Sequence, residues 1–530
     1  KLHLTKDKNP NTELKLLVEE RKWNKYTDKG DYVLTPVGDK IPKEKFESRL
    51  NKELSDIELG KVADYFLNVC YGITDYCSAN DILIGAGRGS AAGSVVSYIL
   101  NITDVEPIAL NLTWERFWNP GRMKFDEDGN ILEISLPDID IDIPSDRRTE
   151  VMEHCKDYFG ENCVANIITF GTWSGKNLIQ AVGASLGVSK DIIDEICEYI
   201  PFNLSAALES DSFNEYLDNN RQAKYLVESC KPIEGCVKNA STHAAGMLIA
   251  DSDMRNYTPY TNGKNGITTQ YPYETLESLG CLKVDLLGHE AEVIIDRACQ
   301  YIKENHDVEI IPREIPIDDK PTYKMLQKCD VRGVPQIEKN WVLDKIQDVH
   351  PETLEHIIAL VTMIRPGSLD SGQTDKYRKI RKGELEPIPD IPQVENITKE
   401  SYGCWLYQEQ VMDVTRYCAG FTLGQADDLR KVVAKKKYAD KAEKLMKLFK
   451  EGSMGGKGKS EPLTEEEWEI MDTVIRDFFK YAFNKAHGAG YGVTSYRCAY
   501  LKANYFIEYM TSLLNSKDSK SLPFYLENVY

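Results

Sequence analysis

The eight residues PDIDIDIP, 137 to 144, constrain this chain more than any other stretch. Three aspartates alternate with three isoleucines, and a proline closes each end. Side chains alternate across a β-strand, so Asp138, Asp140 and Asp142 project from one face while Ile139, Ile141 and Ile143 enter a core. Like carboxylates held that close repel, which raises their pKa values unless a cation neutralises them. Hard divalent ions take oxygen ligands, and paired ions stabilise both oxygens of a displacement at phosphorus. The plainer alternative is an edge strand whose acidic face meets water. A third acid on another strand favours the ion, and LKVDLLG supplies Asp285, isolated within an apolar run.

A chain of 530 residues exceeds one hydrophobic core, and about two to four domains are expected. No run approaches the length of apolar sequence that spans a bilayer, so no membrane segment is expected. There is no secretory pattern, and a first residue of Lys1 suggests a segment of a longer polypeptide. Thirteen cysteines without a CxxC pair read as reduced, intracellular thiols rather than zinc ligands. The net charge of −19 excludes a protein that is basic throughout, yet residues 425 to 450 hold nine Lys or Arg against four acids. Such a patch fits a nucleic-acid contact or a solvated helix face.

Residues 1 to 55 are polar without sustained periodicity and read as an arm or small insertion. Apolar spacing predicts a helix over 58–77, a buried strand over DILIGAG (81–87), and a small-residue helix over 90–102 with Ser90 as its N-cap. A helix ended by Gly160, strands at 164–171, 246–251 and 280–288, and helices through 172–232 follow. Beyond 290 the pattern is mainly helical, with loops at 384–395 and 451–463. GAGRGSAAGS (85–94) matches neither a P-loop nor a dinucleotide fingerprint. Its glycines still let a backbone approach an anion, the following helix offers N–H groups, and Arg88 and Ser90 add donors. A tight strand-to-helix turn without a ligand also fits.

In order, GRGSAAGS, WERFWNP, PDIDIDIP, VANIITFGT, STHAAGMLIA, LGCLKVDLLG, IALVTMIRPGSLDSG, YGCWLYQEQVM, GFTLGQADDLRKVVAKKK and FNKAHGAGYGVTSYRCAYLKANY resemble the core of family C DNA polymerases. These are the bacterial replicative class of the DNA polymerase III alpha type, and the likeness covers about residues 58 to 515. It implies an α/β palm of the polymerase beta-like nucleotidyltransferase type, with mainly helical thumb and fingers. The implied division is an arm or insertion at 1–55, palm at 56–171 and 236–290, thumb at 172–235 and fingers at 291–530.

The resemblance implies a DNA-directed DNA polymerase that transfers a deoxynucleotide to a primer 3′-hydroxyl. Two Mg²⁺ ions, or Mn²⁺ instead, would sit on Asp140, Asp142 and Asp285, with Asp138 in support. Arg88, Gly89, Ser90, Arg430, Lys431, Asn484, Lys485 and His487 would face the nucleotide, and Lys435, Lys436 and Lys437 the DNA backbone. Gln408 to Gln410 form another fingers motif, and Lys238 and His243 lie on the palm approach. The implied partners are primer–template DNA and dNTPs, joined by a sliding clamp or other replisome proteins. The implied place is the cytoplasm, that of a bacterial host if the compact form is phage-encoded.

Several departures stand out. The family's LRRAMGKK is LRKVVAKK here, Lys238 replaces an arginine, and GVPQIEK has proline for an aromatic. No cluster of histidines and acids suits an amino-terminal PHP domain, and no clamp-binding, OB-fold or exonuclease part is evident. Two rival functions share these acids: a non-catalytic replisome scaffold that binds nucleic acid, and a metal-dependent phosphodiesterase.

Overall fold

The computed structural model describes residues 9–126, 131–134, 136–263, 266–364, 372–433, 439–478 and 483–527. It is mixed α/β and mostly helical. The chain divides into two units, Lys156–Val284 and the combination of Leu2–Cys155 with Asp285–Tyr530.

The first unit is built on Val164–Thr172, whose alternating Ala165 and Ile167 face Leu248, Met254 and Leu276 in a small core. This strand runs antiparallel to Val237–Ile249, with Val164 opposite Ile249 and Thr172 opposite Val237. On its other edge it runs parallel to Gly266–Thr269, which forms a hairpin with Tyr260–Gly263. The predicted strand at 246–251 is thus the end of a longer one. Between the two long strands the chain forms helices at Gly175–Ser185, Lys190–Tyr199, Leu204–Ala207, Asp211–Asn219 and Arg221–Cys230. They close on their own core of Leu178, Ile196, Phe213 and Leu226.

In the second unit the described chain from residue 9 begins with regular elements. Helix Pro10–Lys25 leads into a three-stranded antiparallel sheet of Thr27–Asp28, Tyr32–Leu34 and Lys40–Pro42, then helix Lys43–Leu59. Phe46, Leu50, Leu54 and Ile57 are buried at helical spacing, each contributing about 1.5–3 kcal/mol if fully withdrawn from water. Charged neighbours hid that stripe in the sequence. The helix expected over 58–77 is interrupted at Gly60 and Lys61, the latter at φ +52°. It resumes as a wide π-helical stretch, Tyr65–Tyr71, and an α-helix, Gly72–Ala79.

The apolar run 82–85 belongs to none of the described strands or helices. It touches the acidic strand once, where the Gly85 N–H donates to the Asp142 carbonyl at 2.9 Å. Beyond the turn, a short 3₁₀ segment, Ala91–Gly93, precedes helix Val95–Ile99. Its N-cap is Ser94, whose hydroxyl accepts from the Ser97 N–H at 3.0 Å, and not Ser90.

Helix Arg148–Phe159 ends as predicted at Gly160, which has φ +104°. Helices Glu290–His306, Leu354–Met363, Lys485–Asn504 and Phe506–Ser516 pack around Ile295, Ile302, Leu360, Tyr496 and Tyr509. Helices Gln408–Ala419, Leu423–Val433, Ala439–Met454 and Glu465–Phe478 enclose a second core of Val411, Leu429, Phe449 and Met471. All thirteen cysteines are free thiols. Among the described residues no helix is long and apolar enough to cross a membrane.

Candidate active site

The acidic strand is Asp140–Pro144, and its isoleucines behave as alternation requires: Ile139, Ile141 and Ile143 are buried. It pairs in parallel with Leu282–His289, setting Asp140 opposite Asp285. One carboxylate oxygen from each of Asp138, Asp140 and Asp285 lies within 4.8 Å of the other two. Burial deepens along the row: Asp138 is exposed, Asp140 intermediate, and Asp142 only 7% exposed, while Asp285 is 8% exposed.

Burial pushes the Asp140 carboxyl up to about 7, and the charges of Asp138, Asp285 and Asp142 add to the rise while Arg88 opposes it. Asp142 is raised too, again mainly by burial, with Arg88 and His289 opposing. Three converging carboxylates, with the Asp140 anion disfavoured by burial and by its acidic neighbours, make a hard-oxygen donor set that a divalent cation would relieve. The residues therefore fit a hard divalent cation.

Asp142 faces the protein interior. Arg88 Nε stands 3.6 Å from its Oδ1, an atom that no described group hydrogen-bonds. The Arg88 guanidinium lies 5.3 Å from the centroid of the Tyr491 ring. Behind Asp142 is Glu292, on helix Glu290–His306, fully buried and pushed up to about 7 by burial and then by Asp142. Its described partner is the Thr494 hydroxyl at 3.5 Å. Sequence reasoning missed Glu292 because an acid in a charged amphipathic helix resembles a surface residue; its place seven positions after Asp285 was the available signal.

The glycine turn approaches the acids closely. Gly89, at φ +66°, would place a Cβ 3.5 Å from Asp140 Oδ2, and its N–H donates to His487 Nδ1 at 2.9 Å. Helix Lys485–Asn504 packs onto the turn through Gly490, where a Cβ would stand 1.8 Å from the Gly87 carbonyl oxygen. The turn does not present a vacant helix terminus. The Val95 and Val96 N–H groups donate to the Glu53 carboxylate at 3.0 and 3.1 Å.

The remaining candidates are distributed differently. Asn484 is the N-cap of helix Lys485–Asn504, its Oδ1 accepting from the His487 N–H at 2.7 Å. Lys485 is 4% exposed, and its Nζ donates to the Leu110 carbonyl at 2.6 Å and to Glu400 at 2.7 Å. Arg430 donates twice to Asp427 Oδ1, at 2.9 and 2.8 Å, and Lys431 lies 2.6 Å from Asp427 Oδ2. Within the Gln408–Gln410 motif, Gln410 accepts from the Leu406 and Tyr407 N–H groups, and Glu409 accepts from the Lys485 N–H. Lys238 Nζ lies 4.2 Å from the Trp173 ring centroid, and His243 Nδ1 accepts from the Gly246 N–H. Lys435, Lys436 and Lys437 lie outside the described residues. The structure thus gathers Asp138, Asp140, Asp285, Arg88, Gly89 and His487, and gives Lys485, Arg430 and Lys431 carboxylate partners within the protein.

Comparison with known proteins identifies the family. Residues 12–288 match the family model described as the bacterial DNA polymerase III alpha NTPase domain, and residues 292–455 match the bacterial DNA polymerase III alpha subunit finger domain. DNA polymerase III subunit alpha of Aquifex aeolicus is 34% identical over 506 residues, covering 89% of this chain and 42% of that protein. Its counterpart in Buchnera aphidicola is 35% identical over 486 residues, covering 88% and 40%. That of Escherichia coli K12 is 34% identical over 488 residues, covering 89% and 40%. The chain spans about two fifths of the length of these relatives. With both family models matched in order, and the acids of the first converging in space, the chain belongs to the bacterial DNA polymerase III alpha subunit family.

Proposed function

We propose that this chain is a DNA-directed DNA polymerase that adds deoxynucleotides to a primer 3′-hydroxyl. The observation that carries the reading is the convergence of Asp138, Asp140 and Asp285 beside the glycine turn. In this reading the parallel strand pair belongs to a palm of the polymerase beta-like type. Residues 172–235 form the thumb and 291–530 the fingers. Helix Lys43–Leu59 bonds directly to Ser94–Val96 and so belongs with the palm, although 1–55 alone reads as an arm.

Asp140 and Asp285, opposite one another, would hold divalent ions, with Asp138 on the open side and Asp142 on the buried side completing the donor set. When bound there, Mg²⁺ or Mn²⁺ favours deprotonation of the primer hydroxyl and neutralises charge on the triphosphate. The chain's own contribution is placement. The backbone of the turn at Gly89 lies next to Asp140, His487 accepts the Gly89 N–H and so orients the turn, and Arg88 brings a cation to the same edge. Primer–template DNA and dNTPs are the proposed partners, with a sliding clamp or other replisome proteins on the full-length protein.

Extension of a labelled primer with all four dNTPs tests this. Growth of the primer that depends on Mg²⁺ and on the template supports it. Shortening of the primer would indicate a phosphodiesterase, and binding without any change in length a scaffold.

A further inference from the structure

Helix Lys43–Leu59 holds an ion pair with a fully buried carboxylate outside the acidic site. Glu53 is 0% exposed, and its carboxylate receives Arg49 Nε at 2.7 Å, the Ser94 hydroxyl at 2.9 Å, and the Val95 and Val96 N–H groups at 3.0 and 3.1 Å. Arg49 also donates through Nη2 to the Gly93 carbonyl at 2.6 Å and the Leu112 carbonyl at 3.1 Å. One turn of helix Lys43–Leu59 thereby grips the Gly93 carbonyl, the Ser94 hydroxyl and the Val95 and Val96 N–H groups, directly after the glycine turn. A buried ion pair is a poor stabilising device, because desolvation offsets its attraction. What it supplies when fully hydrogen-bonded is a single allowed geometry.

We propose that Glu53, locked by Arg49, is a positioning residue for the incoming nucleotide, a built-in anion that fixes the glycine turn against Asp140. The inference rests on the polymerase reading and adds to it a division of labour. Glu53 occupies the N–H groups at the start of helix Val95–Ile99, so its negative charge directs the triphosphate to the backbone of the turn around Gly89 and to Arg88. The link runs along a short path: Glu53 and Arg49 hold Gly93–Val96, and four residues earlier Gly89 meets Asp140 and His487. Glu53 itself touches no reacting atom.

The test combines two readouts on the whole chain carrying Glu53→Ala, Glu53→Gln, Arg49→Met, Arg49→Met with Glu53→Ala, and the control Leu50→Ala. Leu50 is fully buried on the same helix, so its truncation loosens the helix without touching the ion pair. In Glu53→Ala the KM for dNTP should rise by about tenfold or more, because small misplacements of a bound substrate are costly. Affinity for primer–template should hold within about twofold, since distant sites act independently. Glu53→Gln should recover part of the loss, and the double variant should be no worse than Glu53→Ala alone.

Hydrogen exchange of amides 85–97 should quicken in Glu53→Ala and not in Leu50→Ala. Unchanged exchange and KM in Glu53→Ala would overturn the proposal, as would an equal KM rise in Leu50→Ala. A parent chain that incorporates no nucleotide would instead refute the polymerase reading, and the exchange comparison would still decide whether Glu53 positions the turn.

Discussion

Asp285 stands directly across a parallel strand pair from Asp140, and an oxygen of each lies within 4.8 Å of the other and of Asp138. Nothing in the backbone requires two acids at one ladder position. Both strands offer alternating positions, and the residues flanking the two acids, Ile139, Ile141, Val284 and Leu286, are buried as a normal core would be. The acids are held together by the packing of their apolar neighbours, with their repulsion left for a cation to relieve.

Burial of Asp140, together with that repulsion, has a pH signature. The folded chain keeps the Asp140 proton up to about 7, whereas the unfolded chain releases it in the ordinary carboxylate range. The folded state therefore binds more protons in that window, and metal-free stability falls as pH rises through it. Melting temperatures of the metal-free wild type and Asp140→Asn should diverge as pH increases from about 5 to 8, with the wild type losing more. Saturating Mg²⁺ should remove the divergence, since it binds the deprotonated folded form. Parallel curves would show that Asp140 carries no such strain.

Asp138 and Asp142 flank the central acid in different surroundings, and their variants should differ. Asp138→Asn removes an exposed donor, so it should weaken Mg²⁺ dependence while leaving the melting temperature near that of the wild type. Asp142→Asn removes the buried charge facing Arg88 and should cost stability of about 1–3 kcal/mol as well as activity, because Arg88 then lacks its counter-charge. Chemical unfolding and a Mg²⁺ titration of incorporation separate the two effects.

Gly490 is a steric hinge point between the helix Lys485–Asn504 and the glycine turn. Gly490→Ala would force the two apart, because its methyl would overlap the Gly87 carbonyl. Overpacking of that kind costs about 1–3 kcal/mol. The expected outcome is a lower melting temperature together with a raised KM for dNTP; a variant with neither change would contradict the described packing.

Lys485 is bound to Glu400 and Leu110, so Lys485→Ala should destabilise the fold by about 2 kcal/mol, the usual cost of stranding one partner of a largely buried pair discounted for the partial exposure of Glu400. Urea unfolding measures it. A variant of unchanged stability that loses only nucleotide affinity would show that the ammonium serves the triphosphate instead.

What the sequence revealed follows from the range of the interactions involved. The alternation in PDIDIDIP is a local, period-two signal, and its isoleucines are buried as it required. Gly160 ends its helix through its own φ. Asp285 stood out only beside the aspartate strand, because a lone acid in an apolar strand is more often a loop-edge or hydrogen-bonded residue. Ser90 was misread as a helix cap because the deciding partner, Glu53, lies far upstream, and local spacing cannot reveal it. The run 82–85 is apolar enough for a strand, but it joins no described ladder and meets the acidic strand through the Gly85 N–H bond to the Asp142 carbonyl. Lys485, Arg430 and Lys431 carry the charge a triphosphate needs; Asp427 sits within local helical reach of Arg430 and Lys431, whereas only the fold discloses Glu400 beside Lys485.

The central claim is that the Asp140–Asp285 pair holds the ion that makes this chain a polymerase. Single-nucleotide incorporation on a primer–template, with saturating Mg²⁺ and dNTP, measures it in Asp285→Asn beside the wild type. A variant that melts normally, still binds primer–template, and incorporates at least about a hundredfold more slowly is the predicted result, since losing a metal ligand removes charge stabilisation worth several kcal/mol. Incorporation at the wild-type rate by a folded Asp285→Asn would contradict the account.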